Sequence, residues 1–233
     1  MEFPVPLVRG RLVRRYKRFL ADAALETGEV ITAHCANPGA MLGVAPADGE
    51  IWLSPSRNPK RKLAWSWELV RVGQGLVGIN TSWPNLLAEE AILTGAVPEL
   101  GGYTTLRREV RYGRNSRIDL LLEADGRPTC YVEVKNVHLS RGDSLAEFPD
   151  CVTARGAKHL LELADMAAGG ARAVMLFIVQ RGDCDRFRTA EEFDPAYHAG
   201  LKAALRVGVE VLVYGCDVSV GGIRVDRRLE LLA

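Results

Sequence analysis

Apolar and polar residues alternate along several short segments in the first third of the chain. Turn residues separate these segments, as at Asn37-Pro38-Gly39, Asp48-Gly49 and Asn58-Pro59. Alternation with a period of two is typical of β-strands, and Gly and Pro favour the turns between them. The pattern predicts six short strands, over Leu7–Tyr16, Phe19–Ala24, Glu29–Cys35, Glu50–Ser54, Ser66–Val72 and Leu76–Asn80. Short strands with little helical periodicity indicate a small barrel; an OB-type barrel is favoured, and an SH3-like barrel is not separated from it by pattern alone.

A different pattern begins at Trp83-Pro84-Asn85. Apolar residues at helical spacing predict helices over Leu86–Leu93, Ala154–Ala168 and Pro195–Arg206; the first two are followed closely by Gly, and the last is capped by Asp194. Strands are predicted over Thr105–Tyr112, Arg117–Glu123, Thr129–Lys135, Ala173–Val179 and Val209–Tyr214, with a closing hairpin over Val218–Val225. The order α-β-β-β-α-β-α-β predicts a mixed α/β sheet with helices on its faces. The chain therefore divides into two predicted domains, residues 1–83 and 84–233.

Composition excludes several classes of protein. Hydrophobic residues make up 48% of the 233 positions and charged residues 25%, as in globular domains. The longest apolar run, Ala173–Val179, is too short to cross a bilayer, and the first residues lack the arrangement of a signal peptide. The five cysteines are widely spaced, with no pair separated by two residues, so neither a disulfide framework nor a zinc cluster is expected. We therefore expect a cytoplasmic protein without membrane association.

Positive charge is concentrated in the first third of the chain, although the net charge is only +1. Residues 1–80 contain 11 Lys and Arg but 7 Asp and Glu, and two basic blocks, 9–18 and 57–62, contain no acidic residue. Either block alone is more typical of a solvated surface, but two such blocks in one small region favour a surface for a polyanion such as DNA. Arg155 and Lys158 add positive charge at the start of a helix, where a phosphate is also favoured. The predicted nucleic-acid contacts are Arg14, Arg15, Lys17, Arg18, Lys60, Arg61, Lys62, Arg155 and Lys158.

The candidate chemistry lies on two strands joined by a tight hairpin. Glu133 and Lys135 are two residues apart, so they project from the same face of a strand. Asp119 interrupts the apolar strand before the Asp125-Gly126 turn, and burial of an unpaired carboxylate is costly. Two converging carboxylates favour a hard divalent cation, and a lysine beside it could orient a water. The sequence therefore predicts a site for Mg²⁺ or Mn²⁺, with a third carboxylate from Glu89 or Glu90 on the preceding helix.

Several sequence blocks resemble the sugar fermentation stimulation protein A (SfsA) family. They extend from near residue 5 to about residue 215 and are Arg15–Asp22, His34–Met41, Lys60–Lys62, Trp67–Leu69, Ser116–Asp119, Tyr131–Val137, Phe148–Asp150 and Arg155–Leu160.

The resemblance implies an N-terminal OB-like domain and a second domain similar to the PD-(D/E)xK nucleases. Asp119, Glu133 and Lys135 match the nuclease motif, although Ile118 stands where the motif's name has proline. Glu90 matches the helical glutamate better than Glu89. If the chain is an enzyme, the resemblance places Glu90, Asp119, Glu133 and the Val134 carbonyl around the metal, with Lys135 at the attacking water.

Proteins of this family are described as non-specific DNA binders with a suggested role in sugar metabolism. The resemblance thus predicts binding to DNA through phosphates, with metal-dependent phosphodiester hydrolysis as a possible activity. A DNA-binding regulator without catalysis is the alternative, and a sugar-binding or sugar-modifying enzyme is a third and weaker reading. The sequence leaves open the form of the nucleic acid and whether the chain forms a homodimer.

Overall fold

The first sheet is built from six short strands. The computed structural model describes residues 1–113 and 116–232. The strands are β1 (Val8–Tyr16), β2 (Leu20–Leu25), β3 (Val30–Cys35), β4 (Glu50–Pro55), β5 (Trp65–Val72) and β6 (Gly75–Gly78). Each lies within two residues of a strand predicted from alternation.

These strands form a closed barrel. β1 pairs in antiparallel fashion with β2 and β4, β2 pairs with β3, and β4 pairs with β5. Parallel pairing of β3 with the first residues of β5 closes the five-stranded ring. β6 pairs with the remaining residues of β5. This closure confirms the OB-type barrel. Trp67 is completely buried inside it, with its indole N–H donated to the Leu69 carbonyl, so this tryptophan is a core residue.

The second sheet is flanked by three helices. The main elements are α1 (Pro84–Leu93), β7 (Thr105–Tyr112), β8 (Ser116–Glu123), β9 (Cys130–Val137), β10 (Leu139–Ser140), β11 (Leu145–Phe148), α2 (Ala154–Ala168), β12 (Arg172–Val179), β13 (Arg186–Thr189), α3 (Pro195–Arg206), β14 (Glu210–Val218), β15 (Ile223–Arg228) and β16 (Glu230–Leu231). A short 3-10 turn covers Pro98–Leu100.

Six strands form the central mixed sheet, in the order β15-β14-β12-β9-β8-β7. β12 lies between β9 and β14 and is parallel to both, and its residues after Arg172 are all buried, as expected for its continuous apolar sequence. One face packs against α1 and the other against α2 and α3, which gives two hydrophobic cores. The predicted mixed α/β sheet is confirmed.

A second, smaller sheet is missing from the sequence prediction. It has the order β10-β11-β13-β16, and its strands contain only two to four residues each. The predicted order α-β-β-β-α-β-α-β is therefore incomplete. Strands this short carry no measurable alternation, and β11 and β13 pair only because the fold brings distant segments together. No helix in the described ranges is long and apolar enough to span a membrane.

The barrel and the second domain are in contact at several places. Trp52 and Leu69 of the barrel belong to the same hydrophobic core as α1. On another side, the Asp150 carboxylate accepts a hydrogen bond from the Met41 backbone N–H at 2.9 Å and lies 3.4 Å from His138 Nε2. A Cβ on Gly39 would come within 2.7 Å of the same carboxylate, so only glycine permits this approach. Asp150 therefore joins the loop after β3 to the segment after β11.

Asp150→Asn is expected to destabilise the protein in a pH-dependent way. Burial works to raise the pKa of Asp150, but its contacts with His138 outweigh burial and lower the pKa from 3.8 to about 2. A carboxyl group whose pKa is lower in the folded protein stabilises the fold at pH values above its ordinary pKa. This contribution disappears as the pH falls towards 2. The variant should lose about 2 kcal/mol at pH 7 and progressively less below pH 4. Urea unfolding across this range tests this, with exposed Asp125→Asn as control; a loss independent of pH would contradict it.

Candidate functional site

The site lies where β8 and β9 separate. The two strands pair over only three positions, from Leu120–Leu122 to Cys130–Val132. Beyond that point, the Asp119 carboxylate accepts a hydrogen bond from the Val134 backbone N–H at 2.8 Å. The side chain thus occupies the place where a carbonyl of β8 would continue the ladder. The interruption leaves an opening in the sheet, and Asp119 lies in it.

Glu133 is the buried centre of the site, with a side chain that is 2% exposed. Its Oε1 accepts a hydrogen bond from Lys135 Nζ at 2.6 Å and also contacts His159 Nδ1 on α2. Its Oε2 is buried and has no hydrogen-bond partner within residues 1–113 and 116–232. One oxygen of this carboxylate is therefore fixed by two protein groups, whereas the other is free to bind a ligand.

The two acids have opposite pKa shifts. Burial raises the pKa of Asp119, and the charge of Glu133 raises it further. Burial would also raise the pKa of Glu133, but the hydrogen bond to His159 and the charge of Lys135 outweigh it, so that pKa is lowered. Of the two carboxylates, Asp119 is therefore the one whose negative charge is disfavoured. A nearby cation offsets such a cost.

The donor set suits a hard divalent cation. Asp119 and Glu133 supply carboxylate oxygens, and the unpartnered Glu133 Oε2 is the type of buried acceptor that a cation satisfies. No cluster of three or more His, Cys, Asp and Glu side chains within residues 1–113 and 116–232 is arranged to hold a metal. Two carboxylates therefore have to be supplemented by carbonyl or water oxygens, which Mg²⁺ commonly retains.

The residue of α1 that reaches the site is Asn85. Its Nδ2 donates to Asp119 Oδ1 at 2.8 Å, so both oxygens of Asp119 are held in place. Glu90 instead forms an ion pair with the α-amino group of Met1 at 2.5 Å, and Glu89 pairs with Arg108 at 3.2 Å. Neither glutamate joins a three-ligand cluster with Asp119 and Glu133 in the described part of the chain. Sequence spacing pointed to the correct helix but not to Asn85.

α2 brings a second group of polar side chains to the site. The Thr153 side chain caps the N-terminus of this helix. Arg155 Nε lies 3.3 Å from Nε2 of His159, which is one helical turn further along. A chain of contacts therefore runs from Arg155 through His159 to Glu133. Lys158 donates to Ser116 Oγ at 3.1 Å, at the start of β8. Arg155 and Lys158 are thus close to the site, as their predicted phosphate contacts require.

His159 was not recognised from the sequence as part of the site. Its four-residue spacing from Arg155 was visible, but its contact with Glu133 depends on how α2 packs on the sheet. Glu162, on the next turn, is also buried; it pairs with Lys158 at 3.6 Å, and neither of its carboxylate oxygens accepts a hydrogen bond from a described residue. Burial raises the pKa of Tyr112, and the charges of Glu133, Glu162 and Asp119 raise it further. The site is consequently more acidic than the two strand carboxylates alone would make it.

The first basic block has mixed roles. Arg15 donates to the backbone carbonyls of Arg18, Asn37 and Gly39, so it holds the loop after β3 in place. Arg14 forms an ion pair with Asp22 at 2.8 Å, although most of its side chain is exposed. Lys17 and Arg18 form the left-handed turn between β1 and β2, and Arg18 donates to the Pro38 carbonyl. Arg15 is therefore mainly structural.

The second basic block is exposed. Lys60, Arg61 and Lys62 lie in the loop between β4 and β5, and none of them forms an ion pair with a described residue. We call this segment the basic loop. Nearby, the exposed Phe19 stacks on His34 with ring centroids 6.5 Å apart. Unpaired cations beside an exposed aromatic ring are the features expected of a nucleic-acid contact surface.

Comparisons with known proteins agree with this architecture. Residues 13–79 match the family model described as the SfsA N-terminal OB domain, and residues 82–222 match the sugar fermentation stimulation protein RE domain. A sugar fermentation stimulation protein homolog of Rhodospirillum centenum is 60% identical, with all of both chains aligned. A homolog of Maricaulis maris is 57% identical over 99% of each chain.

A solved structure has a similar fold over the whole chain. It is described as Pyrococcus furiosus SfsA in complex with Ca²⁺, and it aligns with a TM-score of 0.91 at 27% identity. The alignment covers 100% of this chain and 98% of that one. Full-length identity to the homologs and matches to both domain models lead to one conclusion: the chain belongs to the sugar fermentation stimulation protein (SfsA) family.

Proposed function

We propose that the protein binds DNA without sequence specificity and hydrolyses its phosphodiester bonds with the help of Mg²⁺ or Mn²⁺. The observation that carries this proposal is the opening between β8 and β9, where Asp119 and Glu133 converge beside Lys135. The Oε2 of Glu133, which has no partner among the described residues, is a buried acceptor that a cation would satisfy, and this supports the proposal. The relative from Pyrococcus furiosus is described in complex with Ca²⁺, which supports a cation site in this fold.

The residues have distinct roles in this proposal. Asp119, Glu133 and the Val134 carbonyl would hold the cation, which supplies a polarised phosphoryl oxygen and a more acidic water. Lys135 is positioned to orient that water, since its Nζ lies 2.6 Å from Glu133 Oε1. Arg155 and Lys158 extend from α2 beside the same carboxylates and would bind the phosphate groups. Glu90 is not included among the ligands because it pairs with Met1.

DNA binding without cleavage is the second candidate. It is favoured by the contacts of Glu133 Oε1 with both Lys135 and His159, which compensate the carboxylate without a metal. A fold can retain such carboxylates while it serves only to bind. In this case the basic loop would carry the function alone.

Labelled single-stranded, duplex, nicked and branched DNAs incubated with Mg²⁺, Mn²⁺ or EDTA distinguish the two candidates. Cleavage that requires a metal and disappears in Asp119→Ala would support hydrolysis. Salt-sensitive binding that is independent of metal, with every strand intact, would overturn hydrolysis and leave the binding function. The same panel identifies the preferred form of DNA.

Asn85→Ala is expected to weaken cation binding by about tenfold to a hundredfold. The amide holds one oxygen of Asp119, so its removal frees the carboxylate to rotate away from the ligand position. Calorimetric titration with Ca²⁺, in the absence of DNA, measures this loss without relying on activity. Thr94→Ala, at the other end of α1, is the control, and an unchanged affinity in Asn85→Ala would show that Asn85 has no positioning role.

A further inference from the structure

A cleft lies where the barrel meets the start of α1. Its volume of about 390 Å³ is within the range of roughly 300–1,000 Å³ that is common for small-ligand sites. Phe3, His34, Arg61, Glu68 and Trp83 are among the residues that line it. The cleft is separate from the carboxylate site between β8 and β9, and its lining residues all fall within residues 1–83, on the barrel side of the protein.

The cleft has aromatic walls and a polar floor. Phe3 and Trp83 pack edge to face with ring centroids 6.3 Å apart. Glu68 is 2% exposed, and its carboxylate accepts hydrogen bonds from Ser54 Oγ, Asn80 Nδ2 and Trp83 Nε1 at 2.6–2.8 Å. These donors fix the orientation of a buried acceptor. An apolar wall beside an oriented acceptor suits a flat heterocycle with N–H groups on one edge.

The rim of the cleft is positively charged. Arg61 of the basic loop is exposed and forms no ion pair with a described residue. The Arg57 side chain donates to the Pro4 carbonyl and forms no ion pair with any residue that the structure describes. Arginine is well suited to phosphate oxygens, which it can bind through two N–H groups at once. A base in the cleft would therefore have its phosphate near the rim.

The start of α1 contributes to both the cleft and the carboxylate site. Trp83 lines the cleft, and Asn85, two residues further along the chain, donates to Asp119. On a second path, Gln180 donates both to the Asn80 carbonyl and to Asn136 Oδ1, beside Lys135. A strand with one nucleotide in the cleft could therefore extend its backbone past the start of α1 towards Asp119.

The geometry points to a nucleotide subsite: the cleft binds one unstacked nucleotide, with the base against Phe3 and Trp83, its N–H edge towards Glu68 and its phosphate on Arg61. This inference rests on the proposed function and specifies its substrate. The preferred DNA contains an unpaired nucleotide next to the bond that is cleaved, because a base inside a duplex cannot enter the cleft without leaving the stack.

The test compares two short oligonucleotides in EDTA by fluorescence anisotropy. Both have an abasic backbone of five units, and one carries a single adenine at its centre. The adenine should increase affinity for the wild-type protein by about tenfold, as stacking on an aromatic side chain does in other sites. Phe3→Leu should reduce this ratio towards one while leaving the affinity for the fully abasic strand unchanged. Loss of folding would instead weaken both, so the ratio separates the two effects.

Two further experiments test whether the cleft also binds a free nucleotide and provide a control variant. Competition by dAMP, but not by deoxyribose 5-phosphate, would show that the cleft also accepts a free nucleotide. Lys202→Ala, an exposed position on α3, should leave the ratio intact. Equal affinity of the wild-type protein for both oligonucleotides would overturn the subsite. Metal-dependent cleavage that requires Asp119 would survive that result, so the two proposals can fail separately.

Discussion

Glu133→Gln should reduce metal-dependent cleavage of DNA by about a thousandfold or more. The substitution keeps the size of the side chain but removes its charge, which the proposed cation would require as a ligand. A metal that polarises a phosphoryl oxygen lowers the activation barrier by several kcal/mol, and each ~1.4 kcal/mol corresponds to about tenfold in rate. DNA affinity in EDTA should be unchanged or higher, because one negative charge near the phosphates is lost. Single-turnover cleavage and anisotropy measure the two quantities separately.

A matched variant distinguishes loss of the proposed catalytic site from misfolding. Glu133→Gln removes the ionic partner of Lys135 and His159, so some loss of stability is expected. Asp119→Asn keeps both of those contacts and should lose cleavage to a similar extent, since Asp119 is the other carboxylate at the opening. Full cleavage by a folded Asp119→Asn protein would show that the hydrolytic site is elsewhere.

Removal of the three charges of the basic loop should give the largest loss of DNA affinity. Lys60→Ala/Arg61→Ala/Lys62→Ala should weaken binding on the order of 10- to 100-fold at low salt. If each cation contacts one phosphate, the slope of log affinity against log salt should become shallower by about 2.7. These side chains have no acidic partners among the described residues, so their removal leaves no uncompensated charge. The fold should therefore be unaffected.

The control removes three cations from the second domain, as Lys202→Ala/Arg206→Ala/Arg224→Ala. Its net charge is the same as that of the loop variant, but its positions lie on α3 and β15. An equal loss of affinity in both triple variants would indicate attraction to overall charge and not a defined surface. Arg15→Ala is unsuitable for this comparison, because Arg15 binds three backbone carbonyls and its loss would disturb the loop after β3.

Membership of the SfsA family and the geometry of the site address different questions. The family assignment rests on identity over the whole chain and on two domain models. The catalytic proposal rests on the opening between β8 and β9 and on the free oxygen of Glu133. The binding test of the cleft involves neither Asp119 nor Glu133, since Glu68, Phe3 and Arg61 lie on the barrel side of the protein. Each proposal can therefore be tested with its own variants.

The sequence by itself determined the main elements and the central part of the site. The barrel strands, the three helices and the strands of the mixed sheet follow from periodicity, because a side chain's face is set by its position along a strand or helix. Asp119, Glu133 and Lys135 were found for the same reason, since Glu133 and Lys135 share a strand and Asp119 lies on its hairpin partner. Such relationships are local in the chain.

Only the tertiary structure decided which distant side chains complete the site. His159 meets Glu133, 26 residues earlier, and Asn85 meets Asp119, 34 residues later. The contact of Glu90 with Met1, the carbonyl contacts of Arg15 and the four-stranded small sheet depend on packing in the same way. Periodicity specifies which face a residue occupies but not which element covers that face. The packing of helices and loops determines those partners. It therefore determines which charged side chains are available to a ligand and which are already paired within the fold.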